Sequence, residues 1–355
     1  EIVDSLVGSE MCIRDRRALS TLSYETVDVF TNKAFGGNPL AVCFGGEALD
    51  TPMMLQVAAE FNYSETTFVL PPTDSANTAS VRIFTPVAEL PFAGHPNVGT
   101  AFVLARRGNL FGKDLSRADE LVFEEQAGLV RLSLLREAVE PEERGGVESG
   151  CNGAILTAPK PFATSGLVAR AEAAACCGLE PTDLLGDAVI GSTGGEYALA
   201  ALASRDALGR CRAVPAGFAR SSQMSRIGKL LVYLPVDGAA GRLVGRDGDL
   251  RGQDGAHRSR GTDRVDIRCR MFTARGTEDP ATGAANTALL GLMGKQAAAK
   301  GGAGTLRRVI AQGVEMGRPS QLLAECDYSS SATGGVIAVR VGGQCVPMMR
   351  GELTI

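Results

Sequence analysis

Apolar residues recur along this chain at two spacings. Met54, Val57, Ala58 and Phe61 lie three or four apart, the period of one helical face, and predict a helix over residues 52–61. Val98 to Leu104 is a second apolar run, predicting a helix over 96–107 that Gly108 stops. A third helical pattern passes through Ala284, Ala285, Ala288, Leu289 and Met293. Strand-like runs fall at 25–30, 66–70, 81–84 and 129–134. A charged, glycine-containing stretch at 137–150 reads as a linker. A second set of elements starts near Cys151, with segments at 181–185, 196–203 and 230–234 ahead of the last helix. The pattern therefore predicts two α/β units, 23–140 and 151–343. Residues 238–262, rich in Gly, Arg and Asp without apolar periodicity, read as a long surface loop. The arginines there, Arg251, Arg258 and Arg260, are offset by Asp247, Asp249, Asp254 and Asp263.

Two turns open the later helices with one design: Gly94-His95-Pro96-Asn97 and Asp279-Pro280-Ala281-Thr282-Gly283. Pro96 suits the opening position of a helix, because its ring presets φ and its missing N–H has no partner to lose there. Asp279 stands where an N-cap is expected, with Pro280 first in the helix. Both turns are expected to aim unpaired backbone N–H groups at one point, suited to a carboxylate or phosphate. Turns of this kind are more often plain caps than sites. A third feature is Glu65, in Asn62-Tyr63-Ser64-Glu65-Thr66-Thr67, where the first helical pattern gives way to a β-rich run.

Six blocks surround these residues in order: Asp28-Val29-Phe30-Thr31, Phe35-Gly36-Gly37-Asn38-Pro39-Leu40, Arg82-Ile83-Phe84-Thr85-Pro86, Glu89-Leu90-Pro91-Phe92-Ala93-Gly94-His95-Pro96, Glu278-Asp279-Pro280-Ala281-Thr282-Gly283 and Gln312-Gly313-Val314-Glu315-Met316-Gly317-Arg318-Pro319-Ser320. Together they closely resemble the phenazine-biosynthesis PhzF-like family. The resemblance runs from about Tyr24 to Leu353, weakening between about Val236 and Val265. It implies a diaminopimelate-epimerase-like α/β (α+β) fold: two similar domains, each a curled mixed sheet around a central helix, with the site in the cleft between them. Residues 344–355 would return as a strand to the first domain. It also implies an isomerase that moves a hydrogen within a cyclic hydroxy-amino acid without cofactor or metal, and a homodimer. Carried over by position, the catalytic glutamate falls on Glu65, the substrate-holding histidine on His95 and the aspartate on Asp279. Gly94, Pro96, Asn97, Thr282, Gly283 and Ala284 line the expected substrate position. Ala284 stands where the family often has a serine, so one hydroxyl is missing and the substrate need not be the same.

Composition narrows the classes further. A chain of 355 residues with 45% apolar content can fill two cores. No apolar run approaches the roughly 20 residues a bilayer span requires. A net charge of −4 argues against a sequence-independent grip on nucleic acid. Nine cysteines without paired spacing, Cys176-Cys177 among them, read as reduced core thiols of a cytoplasmic protein. With only His95 and His257, and no C-x-x-C or H-E-x-x-H, no metal site is expected. Residues 1–22 are read as a non-native extension, since Glu1 to Arg16 fits no element; a targeting signal could have been lost with the native start.

These features suit proton transfer at carbon. A carboxylate in a closing cleft loses hydration, which disfavours its charged form and raises its pKa toward the working pH. Glu65 could then shuttle the proton while His95 and Asp279 orient a small substrate carrying a carboxylate. A racemase needs an acid and a base on opposite faces of one carbon, and related enzymes place two thiols where the central helices begin; here those positions hold Ala93 and Pro280-Ala281. A non-catalytic binding or scaffold protein of the same fold is the third reading.

Overall fold

The computed structural model describes residues 21–136, 150–234 and 265–355. The first half of the chain runs β1 (Thr21–Val29), β2 (Asn38–Phe44), α1 (Thr51–Phe61), β3 (Glu65–Leu70), β4 (Ala79–Phe84), β5 (Glu89–Leu90), α2 (Gly94–Arg107), β6 (Asn109–Leu110), β7 (Lys113–Asp114), β8 (Glu120–Glu125) and β9 (Gly128–Arg136). The second runs β10 (Cys151–Thr157), β11 (Ala163–Val168), α3 (Arg170–Cys177), β12 (Ala188–Ser192), β13 (Glu196–Ala201), α4 (Arg205–Arg210), α5 (Pro215–Arg220), α6 (Ser222–Ile227), β14 (Lys229–Leu234), β15 (Ile267–Thr273), β16 (Glu278–Asp279), α7 (Gly283–Ala299), β17 (Ala303–Gln312), β18 (Ser320–Ser329) and β19 (Val336–Thr354). The fold is mixed α/β and dominated by its sheet, as expected for the class. Residues 137–149 and the loop at 238–262 lie outside the described residues, as does the extension apart from its last two positions.

Two helices organise the molecule. α2 is buried from Gly94 to Ala105, and α7 over most of Gly283 to Gly294. A helix apolar on all sides must be enclosed, and each is wrapped by strands. α2 packs against β1, β2, β9, β10 and β19, and α7 against β12, β13, β17, β18 and β19. A buried hydroxyl pair ties each helix to its wrapping: Thr67 to Thr100 at 2.9 Å and Thr193 to Thr287 at 2.6 Å. The long β19 joins the halves, pairing with β18 and β10 through its first part and with β1 from Cys345 to Thr354.

The halves repeat one another strand for strand. β2 and β3 are parallel neighbours, as are β13 and β14. β4 then pairs antiparallel with β3 and parallel with β8, as β15 does with β14 and β17. Side chains keep the repeat in register. Arg82 on β4 forks onto Glu89 at 2.7 and 2.8 Å and lies 5.1 Å over the Phe84 ring. Arg270 on β15 forks onto Glu278 at 2.8 and 2.7 Å and lies 5.0 Å over Phe272. Two planar guanidinium–carboxylate pairs in equivalent places fix the short strands that lead into α2 and α7.

Among the described residues no helix is long and apolar enough to cross a membrane.

Candidate active site

The N-termini of the two central helices meet. A Cβ placed on Gly94 would lie 3.1 Å from the Gly283 Cα and from the Ala284 backbone nitrogen; one on Gly283 would lie 3.3 Å from the Gly94 Cα. Only hydrogen atoms fit between the two backbones without displacement.

The two helix starts depart in detail from their sequence reading. α2 opens at Gly94, because Ala93 is extended at φ −150° and ψ 145°. Pro96 is therefore third in the helix, still in the first turn, where a missing N–H costs nothing. α7 opens at Gly283 with Thr282 in the cap place, so Asp279 is not a cap and Pro280 is not helical. A proline disfavours helical geometry in the residue before it. Asp279 accordingly stays extended and pairs with Met271 as the end of β16. Nor are all the N–H groups free: that of Thr282 donates to Gln312 Oε1 at 3.2 Å.

Glu65 reaches the helix N-termini from β3. α1 is capped by Asp50, which accepts from the Met53 N–H, and ends on the left-handed Asn62. β3 begins three residues later, with Glu65 opposite Leu40 of β2. Its carboxylate oxygen stands 3.4 Å from Nδ1 of His95, both side chains being mostly buried.

Asn38, at the start of β2, connects the halves. Its Nδ2 donates to the Asp279 carboxylate at 2.8 Å and the Ala281 carbonyl at 3.0 Å, and lies 3.3 Å from His95 Nδ1. Two hydrogens serve the two nearer acceptors, which leaves a proton on His95 Nδ1 free to face Glu65. His95 Nε2 is buried without a partner. Arg318 sets the approach to Asn38, binding the Gly36 and Gly37 carbonyls at 2.7 and 2.9 Å and the Asp28 carboxylate at 2.6 Å. Gly37 has φ +61°, and a Cβ there would strike the Val29 carbonyl. On the other side, the Thr282 hydroxyl donates to Asp279, and Gln312 Nε2 donates to the Asp279 carbonyl at 2.8 Å.

The electrostatics follow from burial. Glu65 is raised by desolvation, then by the Asp279 charge, against the pull of Lys229. Asp279 is raised by desolvation, opposed by hydrogen bonds from Thr282 and Asn38. His95 is lowered to about 3 by desolvation, so its imidazole is neutral at ordinary pH. Two carboxyls biased toward the protonated form beside a neutral imidazole can exchange protons with little net charge movement.

Three sequence-derived residues, Glu65, His95 and Asp279, thus lie together around Asn38. Gly94, Gly283 and Ala284 form the contact between the helix N-termini, and Thr282 serves Asp279. Pro96 is buried in the first turn of α2, and Asn97 turns away to the Ala93 carbonyl. Asn38 and Gln312 stand in two of the six sequence blocks without a chemical signal of their own. Lys229 and Tyr197 belong to no motif. Thr66 opposes Phe84 as Leu230 opposes Phe272, so Lys229 holds in the second half the place of Glu65 in the first. Its Nζ lies 5.0 Å from the Tyr197 ring, and the Tyr197 hydroxyl is raised by burial and by the charges of Asp279 and Glu65.

A model of the phenazine biosynthesis-like protein family matches residues 27–233 and 254–351. A Pasteurella multocida protein named an uncharacterized isomerase is 33% identical over 336 residues, 94% of this chain and 98% of its own. A trans-2,3-dihydro-3-hydroxyanthranilate isomerase of Pseudomonas chlororaphis is 49% identical over 81 residues, 23% of this chain and 29% of its own. The crystal structure of a PhzF-family phenazine biosynthesis protein from Bacillus anthracis superposes with a TM-score of 0.72 at 22% identity, covering 95% of this chain and all of that one. With the family model spanning most of the chain and a relative matched over nearly its whole length, this protein belongs to the phenazine biosynthesis-like, or PhzF, family of isomerases.

Proposed function

We propose that this isomerase moves a proton between two carbons of a small cyclic or unsaturated amino or hydroxy acid, with Glu65 as the acid–base group in a cleft between the two halves. The observation that carries the reading is the setting of Glu65: a carboxyl raised by burial, 3.4 Å from a neutral His95 and held electrostatically between Asp279 and Lys229. A group of raised pKa can take a proton from one carbon and return it to another on the same face; positioned groups of this kind contribute ~10²–10⁴-fold. The unpartnered His95 Nε2 is left to meet a substrate hydroxyl or amine, and the helix N-termini favour the substrate carboxylate. A racemase reading finds no support in the thiols. Cys269, which touches Asn286 and Gln312 beneath the start of α7, is raised well above its usual value by burial.

Solvent-deuterium exchange tests the proposal, with trans-2,3-dihydro-3-hydroxyanthranilate as first probe and a panel of small cyclic amino acids as second. Glu65→Gln should lower exchange of a substrate C–H by at least ~10²-fold and leave binding within about tenfold, since shape and most hydrogen bonds remain. Undiminished exchange removes Glu65 from the mechanism. The homodimer implied by the resemblance belongs to the same reading; light scattering should return twice the chain mass.

A further inference from the structure

The strand registers extend the match between Glu65 and Lys229 to the residues around them. Ala41 pairs with Thr66 as Ala198 pairs with Leu230, so counting back three residues along each strand sets Asn38 against Gly195. Leu90 pairs with Ile83 as Asp279 pairs with Met271, which sets Leu90 against Asp279. His95 follows Gly94 as Ala284 follows Gly283. The first half thus surrounds Glu65 with Asn38 and His95, and the second half adds Asp279. The same places around Lys229 hold glycine, alanine and leucine.

Two polar atoms converge on the place that Gly195 leaves open. A Cβ on Gly195 would lie 3.9 Å from the Tyr197 hydroxyl oxygen and 4.0 Å from Lys229 Nζ, its nearest neighbour being Tyr197 Cε2 at 3.7 Å. A Cβ on the preceding Gly194 would lie 4.0 Å from Cδ1 of Phe92, two residues ahead of Gly94, so the place looks onto the first half. Among the described residues neither the Lys229 ammonium nor the Tyr197 hydroxyl has a hydrogen-bond or ion-pair partner; Lys229 only lies 5.0 Å from the Tyr197 ring. Glu196, between Gly195 and Tyr197, is engaged by Ser165 and Arg226. Lys229 as a whole is exposed, yet enough protein surrounds its ammonium that desolvation lowers its pKa, against the pull of Glu65. A cation and a hydroxyl donor aimed at one open point, with no protein acceptor there, suit an anion.

The geometry points to Lys229 as a specificity-determining residue that, with Tyr197, receives a second carboxylate of the substrate beside Gly195, while the helix N-termini receive the first. The substrate class is then a small cyclic or unsaturated acid with two carboxylates. This inference rests on the reading of the site proposed above and adds the second anion to it. The two positions are distinct, because the helix contact lies on the axis of the repeat and Lys229 lies to one side, in the place that Glu65 holds on the other. Binding there also bears on the acid–base group. The Lys229 charge holds Glu65 down, and a carboxylate set against that charge offsets it, so the dianionic substrate makes Glu65 a stronger base on arrival.

Calorimetric binding of benzoate and of the ortho, meta and para benzenedicarboxylates tests the inference without turnover, so its failure is separate from failure of the Glu65 exchange assay. The parent protein should bind at least one dicarboxylate about tenfold or more tightly than benzoate, as expected for a charge-assisted pair. Lys229→Met should abolish that preference and leave benzoate affinity within about threefold. Gly195→Val fills the open place while keeping the ammonium, and should abolish the preference as well. If no dicarboxylate is preferred over benzoate by the parent, or if the preference survives in Lys229→Met, the inference is overturned. A preference that survives in Gly195→Val overturns the assigned place of the second carboxylate.

Discussion

Asn38→Ala is the sharpest single test of how the two halves are joined. The substitution removes one Nδ2 group that serves the Asp279 carboxylate at 2.8 Å and the Ala281 carbonyl at 3.0 Å, and that lies 3.3 Å from His95 Nδ1. Asn38 is fully buried, so no water replaces it without rearrangement. A hydrogen bond to a charged group is worth about 1.5–3 kcal/mol, and a buried acceptor left unpaired costs about 1–3 kcal/mol. Asp279 can soften the loss by taking up a proton, and a folding penalty of ~3 kcal/mol is expected. His95 and Asp279 lose their common tether, and a displacement of the order of 1 Å lowers turnover by about 10²-fold. Asn38→Asp separates the hydrogen-bond argument from one of shape. It keeps the volume but exchanges the donor for a charge beside Asp279, and should be worse than alanine in both stability and rate. Urea denaturation and the exchange assay on the three proteins measure both effects. An aspartate variant better than alanine, or an alanine variant within about 0.5 kcal/mol of the parent, would refute the donor argument.

Gly94→Ala should force the helix N-termini apart by a few tenths of an ångström from the 3.1 Å approach, costing ~1–3 kcal/mol and more in turnover than in substrate binding; parental kinetics and melting temperature would show the contact to be slack. His95 binds no proton in the folded state until about pH 3 but does so near 6.5 when unfolded, so its contribution is lost as pH falls from about 6.5 toward 3. His95→Gln should flatten that part of the stability–pH curve. Lys229→Met removes the charge that holds Glu65 down, so the acidic limb of the rate–pH profile, where Glu65 must be ionised to take the proton, should move to higher pH; a shift to lower pH would place Lys229 elsewhere in the mechanism.

Much of the architecture was legible because it depends on local chemistry. Gly94-His95-Pro96 and Pro280-Ala281-Thr282-Gly283 declare helix starts wherever they occur, and Glu65 marks a change of period from helix to strand. Cap assignment failed at Asp279 because a β-bridge to Met271 outcompetes local capping, and that partner lies eight residues away across a turn. Asn38 was invisible as a site residue because its partners are 57 and more than 240 residues distant. The internal repeat left a trace in the sequence. Arg82-Ile83-Phe84 with Glu89, and Arg270-Met271-Phe272 with Glu278, preserve the fork and its aromatic platform. Spacing from that pair does not carry Lys229 onto Glu65, because the connections between the strands differ in length, so that match needs the strand registers.

The contact of Gly94 with Gly283 has an evolutionary corollary. Residues on the axis of an internal repeat touch their own counterparts, so whatever one half tries there is judged at once by the other. Such positions cannot specialise and remain as small as chemistry allows. Divergence is pushed one step off the axis, where each half can change alone: glutamate against lysine at 65 and 229, leucine against aspartate at 90 and 279, histidine against alanine at 95 and 284. The proposed acid–base groups are consequently shared out, with Glu65 and His95 on one half and Asp279 on the other. A protein built from two copies of either half would keep the sheet, the central helices and the glycine contact, yet hold two incomplete sets of acid–base groups.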